Sequence, residues 1–202
     1  MELFARRYLG LRIEYRKLSD DGSVLGLTLY KGMIVEMQIS NSNEVLSVAE
    51  DTIFLDEMLL KAERINQNRF TIAHECAHQI LARIEEKRVE FNSRRYFNSS
   101  KKYNCHELLK TEDWREWQAN SLGAMLLMPK STILSHLNTG RKISKPTSFG
   151  GYFNEPDYQK ITELSKMLKV SKSAVIIRLK EIGCLKYKQE TEFFDPLNIM
   201  VG

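Results

Sequence analysis

Apolar and polar positions change period several times along the 202-residue chain. Within residues 1–16, Leu3, Phe4, Tyr8 and Leu9 fall on one side of a helix, so the segment predicts a short opening helix. Asp20-Asp21-Gly22 is a turn signal; residues 24–30 and 33–39 then read as strands joined at Lys31-Gly32. A polar turn at 41–44 precedes a third expected strand at 52–55. The simplest assembly is a small antiparallel sheet, part of the core, with an edge that could pair with an extended peptide. Residues 59–65 predict a short helix leading into a long one at 67–84. There Phe70, Ala73, Ala77, Ile80, Leu81 and Ile84 recur at spacings of three and four.

Residues 85–110 are polar and mixed in charge, and two readings stay open: a loop over a cleft, or a helix with a loop. Thr111-Glu112-Asp113-Trp114 opens the next helix with a capping residue and two acids in its first turn. It is expected to stop at Pro129 and to bury Trp114, Trp117, Leu122, Met125 and Leu126. Gly140, Pro146, Gly150, Gly151 and Pro156 mark a connector carrying one short helix at 131–137. Residues 161–180 look like a helix–turn–helix, with Leu164, Leu168, Val170, Val175 and Leu179 buried and Ser171 capping the second helix. The expected organisation is a domain at 1–135, a connector at 136–158, a helix-turn-helix-like unit at 159–188 and a tail at 189–202.

A hydrophobic fraction of 43% supports a packed core. No segment reaches the ~20 apolar residues that span a bilayer, and the first residues do not resemble a secretory signal. Three cysteines, Cys76, Cys105 and Cys184, form no paired motif. The expectation is a reducing, cytoplasmic setting with no membrane partner. Net charge is +4, yet residues 157–188 alone hold eight basic and three acidic side chains, a surplus of five. That surplus permits contact with DNA or an acidic protein, led by Lys172, Ser173 and Arg178 on the second helix. The plainer alternative is a helical unit that only packs.

The chemistry concentrates in Arg69-Phe70-Thr71-Ile72-Ala73-His74-Glu75-Cys76-Ala77-His78. Side chains four apart share a helix face, so His74 and His78 can offer two imidazole nitrogens to one ion. Zinc suits that pair, which leaves places for a carboxylate and a water, and Glu75 at the edge of the face can act as general base. Burying two histidines without partners would be costly, which favours the metal reading. Cys76 reads as small packing, with a ligand or redox role as the alternative. Glu116, on the next helix, is a candidate third ligand, with Asn120 one turn on able to hold a ligating histidine by hydrogen bond. Spacing alone leaves Glu116 equally readable as a solvated acid in the first turn of its helix. His106 reads as a surface or packing residue, with an electrophile near the reacting carbonyl as the alternative.

These two helices together resemble the ImmA/IrrE family of bacterial metallopeptidases. The resemblance rests on Arg69-Phe70-Thr71-Ile72-Ala73-His74-Glu75-x-x-His78 and on Glu116-x-x-Ala119-Asn120-x-x-x-Ala124-x-Leu126-Leu127-Met128-Pro129. It covers roughly residues 5–130, including the Gly22–Gly26 turn and Thr52-Ile53. It implies one zinc ion held by His74, His78 and Glu116, with Glu75 as the base and Asn120 beside the ligands. It also implies an α+β fold, a small antiparallel sheet on a helical, zincin-like core, followed here by the helix-turn-helix-like unit. Cys76-Ala77 replaces the family's usual Leu-Gly, Leu122-Gly123 its common Phe-Ala, and Ala82 a frequent histidine; these departures bear on cleft shape and remove no ligand.

The resemblance further implies a protein substrate, of the helix-turn-helix repressor type. Two other readings stand beside it: a DNA-binding regulator with a structural or residual metal site, and a peptidase for small peptides. A closed structural site would use four protein ligands and have no need of Glu75. Hydrolysis also calls for a group to stabilise the oxyanion, with candidates among the Tyr, His and Arg residues of 94–106 and at Tyr152–Tyr158.

Overall fold

The computed structural model describes residues 1–32, 34–39, 42–47, 50–84, 111–140 and 142–193. They form a mixed α+β fold that divides into two compact units, Met1–Leu127 and Met128–Gly202.

The first unit opens with α1 (Glu2–Tyr8), shorter than the helix expected over 1–16. Gly10 adopts φ +67°, a left-handed conformation that ends helices, and the Leu11 amide closes on the Ala5 carbonyl at 3.0 Å. Beyond it the period becomes two, and β1 (Arg12–Arg16) forms with Ile13 buried and Arg12 exposed. β1 lies parallel to β5 (Thr52–Asp56), which also pairs antiparallel with β2 (Gly26–Leu29), giving the order β1-β5-β2. The sheet is therefore mixed, not antiparallel.

Among the described residues the strand pairing expected across Lys31-Gly32 does not form. β3 (Ile34–Ile39) pairs instead with β4 (Ser42–Ser47), in the register Ile39↔Ser42 and Ile34↔Ser47. Residues read as a polar turn thus enter a strand, because a local hairpin closes the smallest loop. β2 and β5 are buried throughout and belong to the inner sheet.

Each face of that sheet has its own cluster. Ile13, Ile53 and Leu55 pack with Leu59, Ile72 and Cys76, while Leu27, Leu29 and Phe54 pack with Leu18 on the other side. Asp56 is buried yet satisfied: its carboxylate accepts the amides of Leu18 and Met58, each at 2.9 Å, and so caps the short helical turn Glu57–Leu60. A second short turn, Ala62–Arg64, leads into α2 (Ile65–Ile84), whose residues from Thr71 to Gln79 are buried on every side.

α3 (Thr111–Leu127) packs on α2 by a face that matches the expected one only in part: Leu126 packs against the cluster of Ile72 and Cys76. Trp114, Trp117 and Met125 are exposed, and the two indoles stack on each other at 4.9 Å and 13°. The buried positions are Ala119, Gly123 and Leu127, a stripe of mostly small residues that lets the helices come close. A Cβ on Gly123 would stand 3.2 Å from the backbone of Ala73 and His74.

The second unit contains α4 (Lys130–Leu137), β6 (Thr147–Phe149), α5 (Glu155–Leu168), α6 (Lys172–Glu181) and β7 (Lys186–Lys188). β6 and β7 pair in parallel. Asn154 and Ser171 cap α5 and α6 through their side chains, and Lys169 turns between these helices at φ 52°. Val175 and Leu179 of α6 are fully buried, as are Ile161 and Leu164 of α5.

Candidate metal centre

The floor of the site is β2, which with the residue that follows it is stitched to α2 by three consecutive residues. The Thr28 hydroxyl donates to the Glu75 carboxylate at 2.6 Å. The Gln79 amide donates to the Leu29 carbonyl at 3.2 Å, and the Tyr30 phenol to the His78 carbonyl at 3.3 Å. All four of these side chains are buried. A polar bond in such a setting is worth more than its aqueous counterpart, and it fixes the rotation of α2 over the sheet.

That rotation turns His74 and His78 toward α3. Their Nε2 atoms stand 3.0 Å apart, with the rings nearly perpendicular at 84°. Glu116 reaches both: its Oε2 lies 3.3 Å from His74 Nε2 and its Oε1 3.3 Å from His78 Nε2. The histidines are 3% and 4% exposed and the glutamate 21%, so the cluster is sunk in the protein with an opening on the carboxylate side.

The donor set fits a metal ion. Donor atoms sharing one tetrahedral zinc, with bonds of about 2.0–2.1 Å, lie roughly 3.3 Å apart. His74, His78 and Glu116 are positioned to hold such an ion. Their protonation agrees. Burial pushes the His78 imidazole below its ordinary range, favouring the neutral ligand form. Burial alone would raise the Glu116 carboxyl, but hydrogen bonds with His74 and His78 outweigh it and hold the group well below the usual carboxylate range. Imidazole nitrogens and a carboxylate oxygen are what a hard-to-borderline divalent ion takes.

Of the other residues singled out from sequence, Glu75 is buried against β2 on the same helix as the histidines. Asn120 is half-buried, one turn beyond Glu116. Cys76 points into the apolar cluster with Ile72 and Leu55, and burial followed by the nearby Glu75 charge pushes its thiol up to about 12. It is a packing residue. His106 and the 94–106 candidates lie outside the described residues.

In the second unit Arg178 is buried, donating from Nε to the Met128 carbonyl at 3.2 Å and pairing with Glu181 at 3.1 Å. That places its guanidinium in the interior of the unit, not on a surface that could face a groove. Lys172 donates to the Tyr158 hydroxyl at 2.6 Å; Ser173 is exposed. Tyr152 stacks on Phe193 at 5.6 Å.

Two features escaped the sequence reading. Thr28 is the lone aliphatic hydroxyl in Leu25-Gly26-Leu27-Thr28-Leu29-Tyr30, and its place between two leucines was the available signal. Gly123 carried a weaker one, a glycine inside a helix where it costs up to about 1 kcal/mol relative to alanine.

A His-Glu-x-x-His helix on a small sheet, completed by a carboxylate from the next helix, defines the class of metal-dependent peptidases. Residues 34–180 match the peptidase family described as the IrrE N-terminal-like domain, and the chain belongs to that family. It is a metallopeptidase. A comparison with curated proteins finds no match. Among the described residues no helix is long and apolar enough to cross a membrane.

Proposed function

We propose that the chain is a zinc endopeptidase that cuts a regulatory protein of the repressor type in the cytoplasm. The observation that carries the reading is the convergence of His74, His78 and Glu116 at 3.0–3.3 Å, with both histidines buried and the glutamate partly exposed. His74, His78 and Glu116 would hold the ion, and Asn120 would steady a ligating histidine. Zinc, when bound, supplies a Lewis acid that makes a water nucleophilic at neutral pH and polarises the scissile carbonyl. Glu75 takes the proton of the attacking water and passes it to the leaving amine. The partial exposure of Glu116 supports an open, catalytic site over a closed structural one. The internal bonds of Lys172 and Arg178 lend no support to DNA contact by those two residues.

The test is zinc content of purified wild type, Glu116→Ala and Glu75→Gln, with cleavage of candidate repressors alongside. One zinc per chain in wild type and in Glu75→Gln, a large loss in Glu116→Ala, and cleavage by wild type only would bear the reading out. Equal zinc in wild type and Glu116→Ala would remove Glu116 from the site. Cleavage by Glu75→Gln at the wild-type rate would remove the base.

A further inference from the structure

β2 does more than support α2. Its residues alternate, so Leu27 and Leu29 enter the outer cluster while Gly26 and Thr28 share the face turned to Glu75. Both of those positions meet the Glu75 carboxylate. The Thr28 hydroxyl donates to Oε2 at 2.6 Å, and a Cβ on Gly26 would fall 2.5 Å from Oε1. A methyl group at 26 would therefore displace the carboxylate from its place, since it would occupy the space that Oε1 fills. The same Cβ would stand 2.7 Å from Thr71 Cγ2, so the strand cannot back away on that side without losing contact with α2.

We infer that Gly26 and Thr28 form a seat that sets the rotamer of Glu75, with Thr28 as the positioning residue for the general base. A hydroxyl has one proton to give; Oε2 at 2.6 Å is the nearer acceptor, with the Glu75 main-chain carbonyl at 3.3 Å, so the proton goes to Oε2 and leaves Oε1 to receive the proton of the attacking water. A carboxylate free to rotate would spend part of its time turned away from that water, and a loss of alignment of about an ångström costs heavily in rate. The inference rests on the reading of Glu75 as the base, but its residues lie on a different element from every proposed ligand.

The test uses the zinc-loaded full chain and acetohydroxamic acid, a small chelator whose hydroxyl proton passes to a neighbouring base when it binds zinc. Its dissociation constant is measured by calorimetry for wild type, Glu75→Gln, Thr28→Val and Thr28→Ser, with zinc content and melting temperature measured in parallel. Expected is full zinc in all four, affinity weakened roughly tenfold or more in Thr28→Val, and affinity in Thr28→Ser within about twofold of wild type. Weakening in Glu75→Gln with none in Thr28→Val would overturn the role of Thr28 alone. Equal weakening in Val and Ser variants would overturn it too, because the hydroxyl would then not be the active feature. Wild-type affinity in Glu75→Gln would overturn the base reading and this inference with it.

Discussion

Gly123 of α3 sits against the backbone at His74: a Cβ there would stand 3.2 Å from the His74 amide nitrogen and 3.3 Å from the Ala73 carbonyl oxygen. The obstacle is main chain, which cannot swing aside as a side chain would. The spacing between the two ligand-bearing helices is thus set where no side chain exists.

Gly123→Val should accordingly cost roughly 2–3 kcal/mol, since overpacking against backbone exceeds any gain from replacing a helical glycine. Pushing α3 outward also withdraws Glu116, so zinc affinity should fall further than the stability loss alone explains. Thermal melting with zinc titration checks both; a variant that melts and binds as wild type would show that the helices tolerate separation.

Acid should weaken the metal-free protein. His78 is held below its ordinary value of 6.5 and Glu116 below its ordinary 4.5, so the unfolded chain takes up these protons at higher pH than the folded chain does. The stability they contribute is fully present above about 6.5 and declines as pH falls through that value and then through 4.5. Melting temperature followed from pH 7.5 to 4 should drop, and His78→Gln should flatten the upper part of the fall. A profile with the same slope in both proteins would sink the assignment to His78.

Cys76 should resist thiol reagents. With its side chain fully buried and the thiol raised to about 12, almost no thiolate exists at neutral pH. In a Cys105→Ser background, Ellman's reagent should label neither Cys76 nor the buried Cys184 until guanidinium is added, then two thiols per chain. Rapid labelling of Cys76 in the folded state would revive a redox role.

Lys169 is the one described non-glycine residue with positive φ, at the end of α5. Lys169→Gly should stabilise the second unit by about 1 kcal/mol, because an L side chain in the left-handed region carries a penalty that glycine lacks. Lys169→Val should do the opposite. Denaturant midpoints of the three proteins decide it, and no difference between Gly and Val would contradict the backbone conformation.

The site was largely legible because its chemistry is local. His74 and His78 sit four residues apart on one helix face, and Glu116 came from a second recognisable motif. The strand order was not legible, since pairing of β1 with β5 joins residues some forty positions apart and depends on Gly10 ending α1 early. Periodicity also misjudged α3. Trp114 and Trp117 carry more apolar surface than Ala119 or Gly123, yet close helix approach selects the small residues for the interior. Thr28 went unread because its partner lies 47 residues away.

The two-faced character of β2 has a consequence for what the chain can tolerate. Sliding this strand by one residue would carry Leu27 into the space of the Glu75 carboxylate and expose Thr28 to the leucines on the other side. A single-residue insertion or deletion between Leu25 and Thr28 would therefore abolish activity and core together, whereas length changes in the Asp20–Ser23 turn should be absorbed. Inheritance of the strand is all or nothing, and the peptidase cannot drift to a neighbouring alignment without ceasing to fold.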